Sequence, residues 1–355
     1  MTIAVIGAKG VVGRSLVEFY RGMGHSLIEV DRDTEAVLEE ASQAADAVMI
    51  ATLPIEEVAA LIERASKNLR SGGLIVHGTS IENPLAPNSI DTNAVAERGQ
   101  DLCHLHFHFR PEVPLRRTVF GQHVTVCWAG DGAKWKPVIE APLEVAGAFI
   151  HTLKPGEHDT ITSISQLAHM TVAALIANLW SKAETETLKT GVQIGGPPCR
   201  SLVRSVLRTG TTARVAASIL TNHPQAEPVM ADLQGALAEL AGYAKARNSE
   251  VIALQIETAR ALFAPEELGT WDAETAQLAR LEADIRKAHY RFVFSPEQNR
   301  VGLLGRVLAE FDARGVDKTS TIAQVNPDGG CTILIGVRET SDNAEAAATA
   351  IEGWE

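Results

Sequence analysis

The chain has 355 residues, enough for two or three domains, and its 45% hydrophobic and 21% charged content excludes a disordered or fibrous protein. A formal net charge of −12 excludes nucleic acid and an anionic membrane surface as main partners. The four cysteines, Cys103, Cys127, Cys199 and Cys331, are scattered without a CxxC pair, which fits reduced thiols in the cytoplasm and not a disulfide framework or a zinc site.

The first predicted element is a strand, Ile3 to Ile6, so the N-terminus does not read as a secretory signal. It runs into Gly7-Ala8-Lys9-Gly10-Val11-Val12-Gly13, then a helix from Arg14 to Met23 and a second strand, Ser26 to Val30, ending at Asp31. A tight turn, close backbone approach to a pyrophosphate and close helix–strand packing all require glycine. The N-terminus of the helix offers N–H groups and a positive dipole end to phosphate. Asp31 falls where a carboxylate would accept hydrogen bonds from both ribose hydroxyls, favouring NAD over NADP, a preference that the adjacent Arg32 softens. The spacing is GxxGxxG and not the strict GxGxxG; its flanking strand, helix and acid identify a Rossmann-type dinucleotide site. Gly7 through Gly13, Asp31 and Arg32 are its candidate contacts, with Leu53 after the next strand.

The α/β rhythm continues with a strand at 45–51, a helix from Ile55 to Leu69, and strands at 73–77, 102–109 and 123–128. This alternation predicts a doubly wound parallel sheet over residues 1–152. From 153 to 287 the apolar residues recur at helical spacing, as in Ile164, Leu167, Met170, Ala174, Leu175 and Leu179, and an all-helical substrate and dimerisation domain is expected. None of these stretches is uninterrupted over a bilayer's width. Residues 288–355 read strand, helix, strand, strand, helix. That βαββα order fits a small α+β regulatory module of the ACT type, one strand short of the full pattern.

Two clusters carry chemistry. Strand alternation places His104, His106 and His108 on one face and Leu105, Phe107 and Phe109 on the other. Histidines on one strand face can bind metal, but no carboxylate or cysteine partner is evident nearby, so no metal is expected. A histidine beside a nicotinamide can instead accept a hydroxyl proton near neutral pH as hydride leaves. The second cluster is Arg200, Arg204 and Arg208, spaced i, i+4, i+8, followed by Arg214, in a window without acids between Glu186 and Glu227. Guanidinium pairs bidentately with carboxylate, so the stripe suits an anionic ligand, with Arg208 the first candidate, or else acids from other segments or another subunit.

Together these pieces resemble the prephenate dehydrogenases of tyrosine biosynthesis, the TyrA family, over the first 285 residues or so. The glycine turn is close to the family's. Thr79-Ser80-Ile81-Glu82-Asn83 stands where the family has Ser-Val-Lys, and His106-Phe107-His108-Phe109-Arg110 where it has His-Pro-x-x-Gly. Trp128 to Gly132, Glu157-His158-Asp159 and His169 on a following helix also match. The resemblance implies NAD-dependent oxidative decarboxylation of prephenate to 4-hydroxyphenylpyruvate by a cytoplasmic homodimer. It implies His106 as the catalytic histidine, Ser80 as its orienting hydroxyl, Arg208 as the carboxylate grip with Arg200 upstream and Arg214 as fallback. It makes His169 a pocket residue and Glu112 a shield for the arginine. Several family members end in an ACT module sensing tyrosine, so a tyrosine effector is a further expected partner beside the dicarboxylate substrate. Phe107, Arg110 and Glu82 depart from the family's proline, glycine and lysine. These departures suit the same chemistry on arogenate or 4-amino-4-deoxyprephenate, and a different class, a catalytically silent nucleotide-binding sensor, is the second alternative.

Overall fold

The structure is a computed structural model describing residues 1–354 except 34–36, 52–54, 110, 112, 195–196, 212, 271–287 and 326–328. The chain divides into two compact units, Met1–Ala246 and Arg247–Glu355.

The first unit is built on a seven-stranded sheet of order β2-β1-β3-β4-β5-β6-β7. Its strands are β1 (Thr2–Ile6), β2 (Ser26–Val30), β3 (Ala47–Ile50), β4 (Leu74–His77), β5 (Asp101–Phe107), β6 (His123–Trp128) and β7 (Phe149–Leu153). Alternation within β1 sends Ile3 and Val5 to one hydrophobic core and Ala4 and Ile6 to another. The first core takes Leu16, Val17, Phe19 and Tyr20 from α1 (Val11–Gly22) and Ile139 and Leu143 from α6 (Lys136–Val145). The second takes Leu38 and Ala41 from α2 (Leu38–Ala44) and Val58, Ile62 and Ala65 from α3 (Val58–Asn68). Helices therefore cover both faces, the doubly wound arrangement expected from the sequence.

The sheet is not wholly parallel. β6 runs antiparallel to β5, and β7 is parallel to β6. Among the described residues the one helix between β5 and β6 is α5 (Leu115–Thr118), four residues long, in place of the longer helix that usually joins parallel strands. β7 escaped the sequence reading because it is an edge strand with no buried residue, so no apolar pattern marks it.

After β7 come α7 (Glu157–Thr162), a π-helical turn (Ser163–Leu167), α8 (Ala168–Trp180), α9 (Thr185–Ile194), α10 (Pro197–Thr211), α11 (Ala213–Asn222) and α12 (Ala226–Lys245). Ile55, Ile81, Leu167, Ile219 and Ala226 form a small core that joins these helices to the sheet. Glu56 accepts from Ser218 Oγ at 2.8 Å and Asn222 Nδ2 at 2.7 Å at the same junction. The continuous helix Glu157–Trp180 is 24 residues long and contains an 18-residue window of mean hydropathy 1.3, enough by length and composition alone to cross a membrane, although polar residues such as Gln166 and His169 interrupt its apolar run. Its first turn carries His158 and Asp159, both buried in hydrogen bonds with the sheet half of the unit, so that end is fixed within the protein.

The second unit contains α13 (Ser249–Arg260) and a three-stranded antiparallel sheet of order β8-β10-β9, from β8 (Tyr290–Phe294), β9 (Lys318–Val325) and β10 (Cys331–Val337). The helices Leu303–Asp312 and Asp342–Glu352 pack on it through Val307, Phe311, Ala347 and Ile351. This is the expected strand–helix–strand–strand–helix order.

Candidate active site

Parallel strands β1, β3, β4 and β5 end along one edge of the sheet, and the order reverses between β1 and β3, where ligands of open α/β sheets bind. The glycine turn follows β1 there. Gly7 has φ 82°, a conformation that disfavours side chains, and its N–H donates to Val30 O at 2.8 Å. A Cβ on Gly13 would lie 2.0 Å from Gly7 O and 2.9 Å from Ala8 Cα, so helix α1 could not approach the turn with any other residue there. The N-cap, Gly10, provides no side-chain cap, which leaves the first helical N–H groups to a ligand. Asp31 follows β2 and accepts from Lys9 N at 2.8 Å and Arg32 N at 2.9 Å, fixing its carboxylate beside the turn. Lys9 pairs with Asp33 at 2.7 Å on the surface. Leu53 lies outside the described residues.

The histidine face forms as alternation predicts. Leu105 and Phe107 enter the first core, and Phe109 packs against it. His104 and His106 are buried on the opposite side. His104 Nε2 donates to Thr79 O at 2.7 Å, tying the Gly78–Ser80 turn after β4 to β5. Ser80 is half-buried in that turn.

His106 Nδ1 lies 2.9 Å from His158 Nε2, and His158 Nδ1 lies 2.9 Å from Asp159 Oδ1. The protons in this series follow from the groups themselves. Asp159 accepts from Glu82 N at 2.7 Å and Asn83 N at 3.1 Å; burial works against its charge, but His158 and these two N–H groups hold it below the usual carboxylate range. An ionised carboxylate only accepts, so His158 donates from Nδ1, and in the neutral ring its Nε2 is then a lone pair. His106 must then donate from Nδ1, which leaves its Nε2 as an acceptor. Burial, and then neighbouring His108 and His158, push the His106 imidazole well below its ordinary value, so the ring is neutral at pH 7. The arrangement is a neutral base whose tautomer is set by a buried carboxylate through a second imidazole.

The sequence reading noted the Glu157-His158-Asp159 stretch without assigning His158 or Asp159 a role. They arrive from α7, 52 residues beyond His106, and no local spacing reveals such a contact. His77, whose ring lies tilted against that of His104 with centroids 4.8 Å apart, and His223, which accepts at Nδ1 from Gln225 N at 3.1 Å, are buried beside them and were likewise unmarked.

The remaining expected residues are distributed differently. His169 is exposed on α8 and bonds Ser205 of α10 at 2.7 Å, so α8 packs against the helix that bears the arginine stripe. Arg200, Arg204 and Arg208 lie on α10, the side chains of Arg200 and Arg208 being outside the described residues, and Arg214 is exposed at the start of α11. Glu112 and Arg110 are also outside the described residues. Glu82, half-buried, accepts from Gly156 N at 2.9 Å; burial raises its pKa.

No protein-family model matches the chain, and no curated protein sequence does. Solved structures do. The chain is similar to arogenate dehydrogenase from Synechocystis, with a TM-score of 0.52 and 20% identity over 73% of this chain and 98% of that one. It is similar to prephenate dehydrogenase from A. aeolicus in complex with hydroxyphenyl propionate and NAD+, with a TM-score of 0.56 and 16% identity over 74% and 97%. A second structure of the Aquifex aeolicus enzyme gives 0.55 and 14% over 74% and 99%. The fold is therefore that of dehydrogenases with a dinucleotide-type sheet followed by helices. Within that class it is the fold of the prephenate and arogenate dehydrogenases.

Proposed function

We propose that the protein is an NAD-dependent dehydrogenase that oxidises a hydroxyl-bearing dicarboxylate of the prephenate type. The observation that carries this reading is the Asp159–His158–His106 series, which presents a neutral Nε2 acceptor at the strand ends. The chain's own residues fit NAD: the Gly13 contact leaves no room for a side chain, the start of α1 is uncapped, and Asp31 is held where it would meet ribose hydroxyls and repel a 2′-phosphate. Bound NAD would provide the hydride acceptor.

His106 Nε2 takes the hydroxyl proton as hydride leaves the same carbon, so a carbonyl forms. The positive charge that develops on the imidazole is stabilised by the proton it already shares with His158, backed by Asp159. In prephenate the ring carboxylate then departs as CO2 and the ring becomes aromatic. Ser80 orients the hydroxyl, and Arg208, with Arg200 or Arg214 as substitutes, grips a carboxylate. Glu112 shields that arginine and His169 borders the pocket; these roles rest on the family resemblance. Prephenate is preferred over 4-amino-4-deoxyprephenate because Glu82, the acid that would suit a ring amine, already accepts from Gly156 N.

The three-domain division at 152 and 287, with a tyrosine-sensing C-terminal module, remains part of the proposal, as does a cytoplasmic dimer. Val172, Leu175 and Leu179 recur at i, i+3, i+7 on α8 and are 38%, 52% and 66% exposed, an apolar stripe suited to a second copy.

The test is a His106→Asn variant assayed for reduced nicotinamide with prephenate, arogenate and 4-amino-4-deoxyprephenate. Turnover should fall by about 10²–10⁴-fold while NAD still binds. Normal turnover in the variant would remove His106 from the chemistry.

A further inference from the structure

His108 takes no part in the Asp159–His158–His106 series, yet its ring centroid lies 4.3 Å from that of His106 and 6.3 Å from that of His158. One nitrogen from each of the three rings falls within 4.8 Å of the other two. The sequence offered three histidines on one strand face, His104, His106 and His108; the fold groups two of them, His106 and His108, with His158 and adds, behind it, the carboxylate that the strand lacked. We propose that His106, His108 and His158 form a binding site for a borderline divalent transition metal of the zinc class, and that its occupancy switches the base off.

The donor set chooses the metal. Neutral imidazoles suit zinc, cobalt, nickel or copper, whereas magnesium and calcium take oxygen ligands. Nitrogens about 2.0–2.1 Å from a tetrahedral zinc stand ~3.3 Å from one another. His106 Nδ1 and His158 Nε2 are already 2.9 Å apart, so a slight opening admits an ion between them. His108 supplies the third nitrogen from an exposed position just past the end of β5, its ring centroid already 4.3 Å from that of His106. Its Nε2 is bonded to Thr125 Oγ1 at 2.6 Å, which leaves Nδ1 for the ion. His158 donates its other nitrogen to Asp159, the carboxylate–imidazole support that orients a ligating histidine and raises its basicity. Three protein ligands would leave one position open.

The regulatory consequence rests on the dehydrogenase reading above. Without metal, His106 carries its proton on Nδ1 and Nε2 is the acceptor. An ion at Nδ1 displaces that proton, and a ring that stays neutral carries it on Nε2. The tautomer is reversed with no net change in protons, Nε2 becomes a donor, and proton abstraction stops.

The experiment uses the full chain stripped with a chelator, titrated with Zn2+ by calorimetry and with Co2+ by visible absorption, in wild type and His108→Ala. One ion per chain should bind, with the intense visible bands of four-coordinate cobalt. His108→Ala should bind about 100-fold more weakly or worse, since even outer partners of a metal site are worth about 10–100-fold. The variant should keep its metal-free turnover and escape zinc inhibition. Absence of the cobalt bands, or equal affinity in the variant, overturns the site. Metal bound through His108 with no effect on turnover keeps the site and overturns the switch. A protein that binds metal but oxidises none of the three substrates keeps the site and refutes the dehydrogenase reading instead.

Discussion

Asp159 touches no substrate in the proposed mechanism, yet it determines which nitrogen of His106 is the base. Replacing it with Asn tests that reasoning sharply. The carboxylate accepts from His158 Nδ1, Glu82 N and Asn83 N. An Asn amide has one acceptor oxygen and one NH2 group, so it cannot satisfy donors on both sides. If the oxygen takes the place of Oδ2 it accepts from Asn83 N, and the NH2 then donates to His158 Nδ1 while Glu82 N, which shared Oδ1 with that ring, loses its acceptor. His158 then carries its proton on Nε2, His106 Nδ1 becomes the acceptor, and His106 Nε2 becomes a donor. Losing a general base corresponds to about 10²–10⁴-fold in kcat, or ~3–5 kcal/mol of transition-state stabilisation. If the oxygen faces His158 instead, the Asn83 N–H is left unsatisfied, costing about 1–3 kcal/mol of stability. The assay is formation of reduced nicotinamide under saturating NAD, with denaturant unfolding of the same samples. Asp159→Asn should lose kcat, stability, or a share of each, with NAD affinity retained. A variant with both kcat and unfolding free energy at wild-type values would refute the tautomer argument.

Other outcomes follow from other parts of the molecule. Gly13→Ala forces a Cβ to within 2.0 Å of Gly7 O. Overpacking of this kind destabilises by about 1–3 kcal/mol or more, and calorimetry should find NAD binding lost together with that stability. His77 is buried, donates to Thr79 Oγ1 and has His104, His158 and Asp159 as its titratable neighbours; burial pushes it down to about 3 from the ordinary 6.5. Its folded pKa is depressed, so stability is complete above pH 6.5 and declines as pH falls through the window toward 3. The slope for such a group approaches ~1.4 kcal/mol per pH unit, and His77→Gln should flatten the fall in unfolding free energy between neutral and mildly acid pH. Light scattering should find a dimer that Leu175→Glu with Leu179→Glu dissociates; a monomeric wild type would leave the exposed stripe on α8 without its proposed partner.

The sequence by itself determined the dinucleotide half. A glycine turn between a strand and a helix, with an acid closing the next strand, is a local pattern because every constraint acts between residues close in the chain, and Gly7, Gly13 and Asp31 stand where that pattern puts them. Period-two alternation likewise placed the histidines on one face of β5, since a strand's side chains take opposite faces by geometry alone. Tertiary structure decided what those histidines can do. The reversal of β6 beside β5 had no mark in the sequence, since both directions give the same alternation, and the edge strand β7 carried no burial pattern to read. His158 and Asp159 reach His106 only because α7 docks at the end of the sheet. A proton's place on an imidazole is set by whichever acceptor lies within 3 Å, and for this base that acceptor comes from 52 residues away.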